Sequence, residues 1–449
     1  MDKDYLRRFL NDSSRNRKRN EIRELLKLIA KPEIISLAGG LPSPETFPIA
    51  EFAKMMPALL EQHGVGALQY GTTEGDIGLR ENLVRLMIDG AMPDESLAHL
   101  TPAHILVLSG SQQGLDLCGR AFLGKDDVVV CGLPSYLGAL GAFNACGARM
   151  SGIPLDAQGM RTDLLEQRLV DLRRKGVRPK LLYVVPDFQN PAGVTLSLER
   201  RHDLLSIARE FDMLVIEDSP YRQLRYIGES LPGLGGLDRD NRVISLYTFS
   251  KILAPGLRVG WAVADPDIIA HLNMAKQPVD VCTNCLSQVV IREYLEAGHL
   301  PAQIQRIKDL YSVKRQTMLD ALEEQFDPAW GVRWTRPEGG LFLWVTLPDW
   351  MQATDLFQRA LEEKMAFVRG QAFHCDGSGH NTLRLNFSYA GVEQIRTAVE
   401  RLGRCVGAIV REAPQDKRSP VGQAPQEVVT GDHALEQFSW NLALSEVVK

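Results

Sequence analysis

No apolar run in this chain approaches the roughly 20 residues a bilayer-spanning helix needs, and no hydrophobic signal-peptide core follows Met1. A soluble, cytoplasmic protein is expected, without a membrane partner. Neither sign of charge is in large excess: 51 Lys and Arg against 56 Asp and Glu leave a net charge of −5, so no global attraction to nucleic acid is expected. The basic run Arg15-Asn16-Arg17-Lys18-Arg19 reads as a solvated N-terminal arm. Cysteine is sparse and odd in number, 7 among 449 residues, which fits free thiols in a reducing compartment better than a disulfide framework. Cys282-Thr283-Asn284-Cys285 has metal or redox spacing, but the second pair that zinc would need is missing. No metal is expected, and the two read as ordinary thiols. What the chain does have is apolar content, 45%, enough for a sizeable core, and a length above one average domain.

Several apolar runs stop abruptly at chemically capable residues. Ser245-Leu246-Tyr247 leads into Thr248-Phe249-Ser250-Lys251, with Arg258 seven residues on. Sheets of α/β proteins hold ligands at such strand ends. An amine beside hydroxyls and a guanidinium suits a phosphorylated aldehyde, pyridoxal phosphate: Lys251 for the Schiff base, Ser250 and Arg258 for the phosphate. Alone, Lys251 would read as a surface lysine. Three further strand ends argue otherwise. Tyr183-Val184-Val185 ends at Asn190-Pro191, where proline keeps the preceding residue extended and aims the Asn190 amide above the sheet edge. Met213 to Glu217 ends at Asp218, with Tyr221 three residues on. A carboxylate keeps a pyridine nitrogen protonated, and a phenol tunes the ring oxygen. Ile105 to Leu108 leads through Ser109-Gly110 into a helix start at Ser111-Gln112, where free amides bind phosphate. Tyr136, after the run Val128 to Cys131, suits stacking on the cofactor ring.

Together with Ser36-Leu37-Ala38-Gly39-Gly40-Leu41-Pro42 and Leu68-Gln69-Tyr70-Gly71-Thr72-Thr73-Glu74-Gly75, these motifs resemble the class I/II pyridoxal-phosphate aminotransferases of fold type I. Within them the chain is most similar to the 2-aminoadipate and kynurenine/aminoadipate branch, from about Ile22 to about Gly407. The resemblance implies an α/β fold: a mainly parallel, seven-stranded-type sheet sandwiched by helices, with a smaller α+β domain. It implies ping-pong transamination between an L-amino acid and a 2-oxo acid, with Lys251 as acid and base and Asp218 and Tyr221 assisting, and a homodimer in which Tyr70 reaches the neighbouring subunit's phosphate. Arg384, in the strand-like run Leu383 to Phe387, reads alone as a buried arginine paired to a structural acid. By resemblance it matches the clamp on the substrate α-carboxylate, with Gly39, Gly40 and Asn190 alongside, and Arg23 matches a mobile arginine that meets a distal carboxylate.

Thr248 stands where relatives often carry serine, and the stretch Asp280 to Cys285 departs in character from theirs, so the preferred side chain stays open. The alternatives are another pyridoxal-phosphate reaction on this scaffold, such as elimination, replacement or carbon–carbon bond formation, and, more remotely, a regulator that would need a winged helix before Ser36. The expected organisation is an N-terminal arm (1–35), a segment joining the small domain (36–68), a large cofactor domain (69–299), a small domain (300–411), and a linker with a docking helix (412–449). Helices are predicted over Leu164 to Lys175, Glu199 to Phe211 and Leu300 to Gln325. The link from Ser250 to Arg258 is too short for a parallel crossover, so the strand after it should run antiparallel.

Overall fold

Runs that are apolar at every position need cover on both faces. In the computed structural model, which describes residues 5, 8–10, 33–90 and 92–414, they receive it. The described strands are, in chain order, β1 (Ile35–Ser36), β2 (Ile105–Leu108), β3 (Val128–Leu133), β4 (Arg149–Asp156), β5 (Gly159–Met160), β6 (Leu181–Val184), β7 (Leu214–Asp218), β8 (Val243–Thr248), β9 (Gly260–Val263), β10 (Arg333–Trp334), β11 (Phe342–Thr346), β12 (Met365–Ala366), β13 (Val368–Arg369) and β14 (Thr382–Asn386). The largest sheet has the order β2-β9-β8-β7-β6-β3-β4-β5, seven longer strands plus the two-residue β5 hairpinned onto β4. Strands β3, β4, β6, β7 and β8 pair in parallel. β9 runs antiparallel to both β8 and β2, as the short link before it requires.

Strand alternation splits each run between two cores. Val129, Cys131, Leu181, Tyr183, Ile216 and Ile244 face one, packed with Leu115, Ala139 and Phe143 of the helices Ser111–Phe122 and Leu137–Ala145. Val130, Leu182, Val215 and Val243 face the other, under Leu165 and Leu169 of Thr162–Arg174 and Leu204 and Ala208 of Leu198–Glu210. Both helices start within two residues of their predicted positions, and the helix Leu300–Gln325 has its predicted bounds.

A four-stranded sheet, β10-β11-β14-β13, is antiparallel throughout. The segment before it in sequence reaches it indirectly. β1 pairs in parallel with β12, and Asn386 N donates to Leu37 O at 2.8 Å, which lays Ala38 to Gly40 beside β14. Arg23, the basic arm and residues 415–449 lie outside the described residues.

Candidate active site

All the predicted strand ends open on one edge of the large sheet. β2, β3, β6, β7 and β8 point their C-terminal ends the same way, so Ser111, Tyr136, Asn190, Asp218 and Lys251 follow from five strands of one sheet, with only β9 set between β2 and β8. Alternation separates the two acids that close β7. Glu217 turns away, accepting from Leu234 N at 2.8 Å, Gly235 N at 3.1 Å and Ser245 Oγ at 2.6 Å, and is thereby a structural anchor. Asp218 turns to the site. Its Oδ2 accepts from Tyr183 Oη at 2.9 Å, while its buried Oδ1 has no hydrogen-bond partner. Burial pushes the Asp218 carboxyl up to about 7, and the Tyr183 hydrogen bond pulls the other way. A cation placed against Oδ1 would restore the charged form.

The Lys251 ammonium donates to Gly40 O at 2.8 Å, bridging the large sheet to the glycine segment beside β14. Burial, together with the nearby Arg384 and Arg258 guanidiniums, pushes its amine down to about 8. Beneath it, Thr248 Oγ1 lies 2.9 Å from Ser250 Oγ and accepts from Ser250 N at 3.1 Å, so Thr248 positions Ser250 from below. Arg258 sits in the left-handed region at φ 54° and donates to Ser109 O at 3.0 Å and Ser250 Oγ at 3.4 Å. Across from it, Gly110 has φ 83°, and a Cβ there would lie 2.4 Å from the Arg258 guanidinium. Glycine is required twice over, by backbone sign and by space. The helix Ser111–Phe122 begins there, so first-turn amides, two hydroxyls and a guanidinium converge on one spot, a donor set for a phosphate.

Tyr136 Oη donates to Gln112 Oε1 at 3.2 Å, and Gln112 Nε2 donates to Gly138 O at 2.9 Å, which holds the aromatic over this turn. Asn190 Nδ2 donates to Tyr221 Oη at 3.3 Å, and burial raises that phenol well above its ordinary range. The substrate side is assembled from distant segments. The Arg384 guanidinium donates to Asn190 Oδ1 at 2.8 Å and to Ala38 O at 2.7 Å, with its Nε unpartnered. It lies 4.1 Å from the Phe342 ring centre and 5.0 Å from that of Phe373. Among the described residues no carboxylate pairs with it, so the reading of Arg384 as one half of a structural ion pair does not hold. Burial lowers it to about 10.

Tyr70 is the predicted residue that this chain alone leaves apart from the others: it is 81% exposed. Two participants escaped the sequence reading. Tyr183 looked like one more apolar-run residue, and its alternation with Leu182 was the available signal. Asp280 accepts from Ser109 Oγ at 2.9 Å, Gln113 Nε2 at 2.7 Å and Lys276 Nζ at 2.7 Å, and so grips the Ser109 to Gln113 turn from far along the chain. Against the desolvation that burial brings, the Lys276 and Gln113 hydrogen bonds hold this carboxyl below its usual range.

Known proteins are similar to this chain in sequence and fold. The family described as aminotransferase class I and II matches residues 32–402. The chain is 44% identical to aromatic-amino-acid aminotransferase 1 of Thermococcus litoralis over 89% of its own length and 94% of that protein's. It is 42% identical to the 2-aminoadipate transaminase of Thermus thermophilus, covering 87% and 94%. Among solved structures, the kynurenine aminotransferase of Pyrococcus horikoshii in complex with PMP superposes with a TM-score of 0.85 at 43% identity, covering 90% of this chain and 98% of that one. A match over most of the sequence, joined to a sheet edge that gathers an amine, a buried acid and a phosphate-binding turn, means that this chain belongs to the class I and II aminotransferases, the pyridoxal-phosphate-dependent transaminases of fold type I.

Proposed function

We propose that the chain moves amino groups between a broad range of L-amino acids, 2-aminoadipate and glutamate among them, and 2-oxo acids, with Lys251 holding the cofactor and carrying the substrate α-proton. The observation that carries this reading is the Lys251 amine: buried, flanked by two guanidiniums and pushed down to about 8, it is partly neutral near neutral pH, as a nucleophile and general base must be. The unpartnered Asp218 Oδ1 and the Gly110 cradle support the fit of pyridoxal phosphate to these residues. When bound, that group supplies an aldehyde that condenses with amines and a ring that withdraws electrons.

The chain's own residues do the rest. Asp218, steadied by Tyr183, would hold a proton on the ring nitrogen. Asn190 and Tyr221 form a pair that would hydrogen-bond the ring oxygen. Ser111, Gln112, Ser250 and Arg258 would bind the phosphate, with Thr248 positioning Ser250, while Tyr136 would stack on the ring. Arg384 would take the substrate α-carboxylate as a planar fork beside Gly39 and Gly40, because no acid among the described residues pairs with its buried charge. Lys251, with Gly40 O as its resting partner, would hold the cofactor and, as general acid and base, carry the substrate α-proton. By resemblance, Arg23 would meet a distal carboxylate.

The names of the relatives, aromatic-amino-acid, 2-aminoadipate and kynurenine aminotransferases, support breadth over a single acidic substrate. We read the large sheet as the core of a cofactor domain at 69–299 and the four-stranded sheet as that of a smaller one at 300–411. A homodimer is supported by exposed apolar side chains gathered at Leu60, Val65, Leu68, Tyr70 and Ile77, a surface suited to a second copy that receives Tyr70. Seven free thiols suit a cytoplasmic setting. The test is a screen of amino acids against purified holoenzyme, following the cofactor spectrum and the products. Formation of the matching 2-oxo acid, and of a new amino acid when a second oxo acid is added, is expected. Ammonia release without amino transfer would instead indicate elimination.

A further inference from the structure

The stretch that departs from the family's character, Asp280 to Cys285, joins the helix Pro266–Asp280 to the helix Cys285–Glu296. Its backbone is unusual. Val281 sits at φ 62°, ψ −57°, and Cys282 N donates to Asp280 O at 2.6 Å, closing a γ-turn of the rare positive-φ kind around a β-branched residue. Such outliers persist where the surroundings over-determine them, and they cluster at functional sites.

Two things lie on either side of that turn. Before it is Asp280, whose carboxylate grips Ser109, Gln113 and Lys276. After it are Cys282 and Cys285, both half-buried and three positions apart, each near enough to influence the other's thiol; Cys285 Sγ donates to Thr283 O at 3.8 Å. Cys285 opens its helix, with Asn284 as the cap accepting from Ser287 N at 2.8 Å, and its Sγ lies 3.0 Å from where a Cβ on Gly71 would stand. Between the two cysteines only Thr283 is buried, its hydroxyl donating to Val107 O at 3.3 Å. Thr283 thus anchors the stretch between the two cysteines, and a single residue, Val281, separates Cys282 from Asp280.

We propose that Cys282 and Cys285 form a reversible thiol–disulfide pair, whose closure by a low-molecular-weight disulfide loosens the hold of Asp280 on Ser109 and Gln113. In the exchange, one cysteine thiolate attacks the external disulfide, forming a mixed disulfide and expelling one external thiol. The second cysteine thiolate attacks the mixed bond, closing Cys282 to Cys285 and expelling the other thiol. Two electrons and two protons pass from the pair to the external disulfide, and excess external thiol reverses both steps. The consequence for the cofactor rests on the proposed role of the Ser109 to Gln113 turn in holding the phosphate; closure of the pair does not. A second adjacent pair, Cys131 and Cys375, serves as an internal comparison, because Cys131 is fully buried.

The experiment equilibrates holoenzyme with oxidised and reduced glutathione at varied ratio, alkylates free thiols and maps tryptic peptides. Cleavage after Lys276 and Arg292 isolates both cysteines in one peptide, 277–292, that contains no other. Loss of two hydrogens from that peptide, reversed by dithiothreitol, is expected, together with cofactor release faster by about tenfold, the scale of one lost hydrogen bond to a charged group. The double variant Cys282→Ser/Cys285→Ser should release cofactor at the reduced rate at every ratio. Alkylation of both thiols throughout, unchanged release from the closed form, or an oxidant response persisting in the double variant would each overturn the proposal. Failure of the underlying reading is distinguishable, since Asp280→Ala would then leave cofactor release from the reduced enzyme unchanged although the pair still closes.

Discussion

The two sides of this active site are built in different ways. On the cofactor side most functional residues follow shortly after a strand end, and the strands share one mainly parallel sheet, so local sequence carries both the element and its cargo. On the substrate side the Arg384 guanidinium gives its hydrogen bonds to residues 190 and 38, separated from it by 194 and 346 positions. Among the described residues, the cofactor side keeps a buried acceptor open, Asp218 Oδ1, and the substrate side keeps a buried cation, Arg384, without an acid. Each incompleteness is complementary to a different group, one cationic and one anionic. That division predicts that cofactor-side changes alter chemistry, whereas substrate-side changes alter recognition.

The largest separation should come from Asp218→Asn. An amide cannot stabilise a protonated ring nitrogen, so turnover should fall roughly 10²-fold or more, the scale of removing one pre-organised electrostatic contact, while the cofactor content measured by absorbance stays near that of the parent. Near-normal turnover would erase the distinction between the two sides. Next in size is Arg384→Lys, which keeps a charge but loses the fork. We expect about 1.5–3 kcal/mol of lost recognition, roughly a ten- to hundredfold drop in kcat/KM shared by all amino acids, with the cofactor spectrum unaltered.

A smaller effect is expected from Tyr183→Phe. The Tyr183 hydroxyl stabilises the charged form of Asp218, so its removal raises the carboxyl further. The acid limb of the kcat profile should move to higher pH by about one unit or less, the equivalent of roughly 1 kcal/mol. Smallest is a shift of midpoint at Lys251. Only the neutral amine attacks an aldehyde, so covalent uptake of pyridoxal phosphate by cofactor-free protein should quicken as pH rises through about 8 and then level off. Arg384→Met removes a neighbouring positive charge that depresses this amine, and so should move the midpoint upward; an unchanged midpoint would show that Arg384 does not help to set it.

The same division explains what the sequence made legible. Lys251, Asp218 and Asn190 could be found because an apolar run followed by a breaker marks a strand end. The antiparallel course of β9 followed from the length of one loop, and the helix Leu300–Gln325 from its sustained apolar periodicity. Tyr183 could not be found, because a strand-face tyrosine reads the same whether it packs in a core or supports a carboxylate. Asp280 was hidden for another reason: its partners Ser109 and Gln113 come together only when the helix Pro266–Asp280 is laid beside β2, a tertiary event with no local signature. Two-residue pairings such as β1 with β12 are too short to carry a period. Tyr70 illustrates the remaining limit, since a residue whose proposed target lies on a second copy has no partner to show within its own chain.

The most direct measurement is borohydride reduction of the holoenzyme followed by tryptic mapping. Modification blocks cleavage at the lysine that carries the cofactor, so the account predicts a labelled fragment spanning 243–258, uncut at Lys251. A label on any other lysine, with Lys251 cleaved normally, would contradict it.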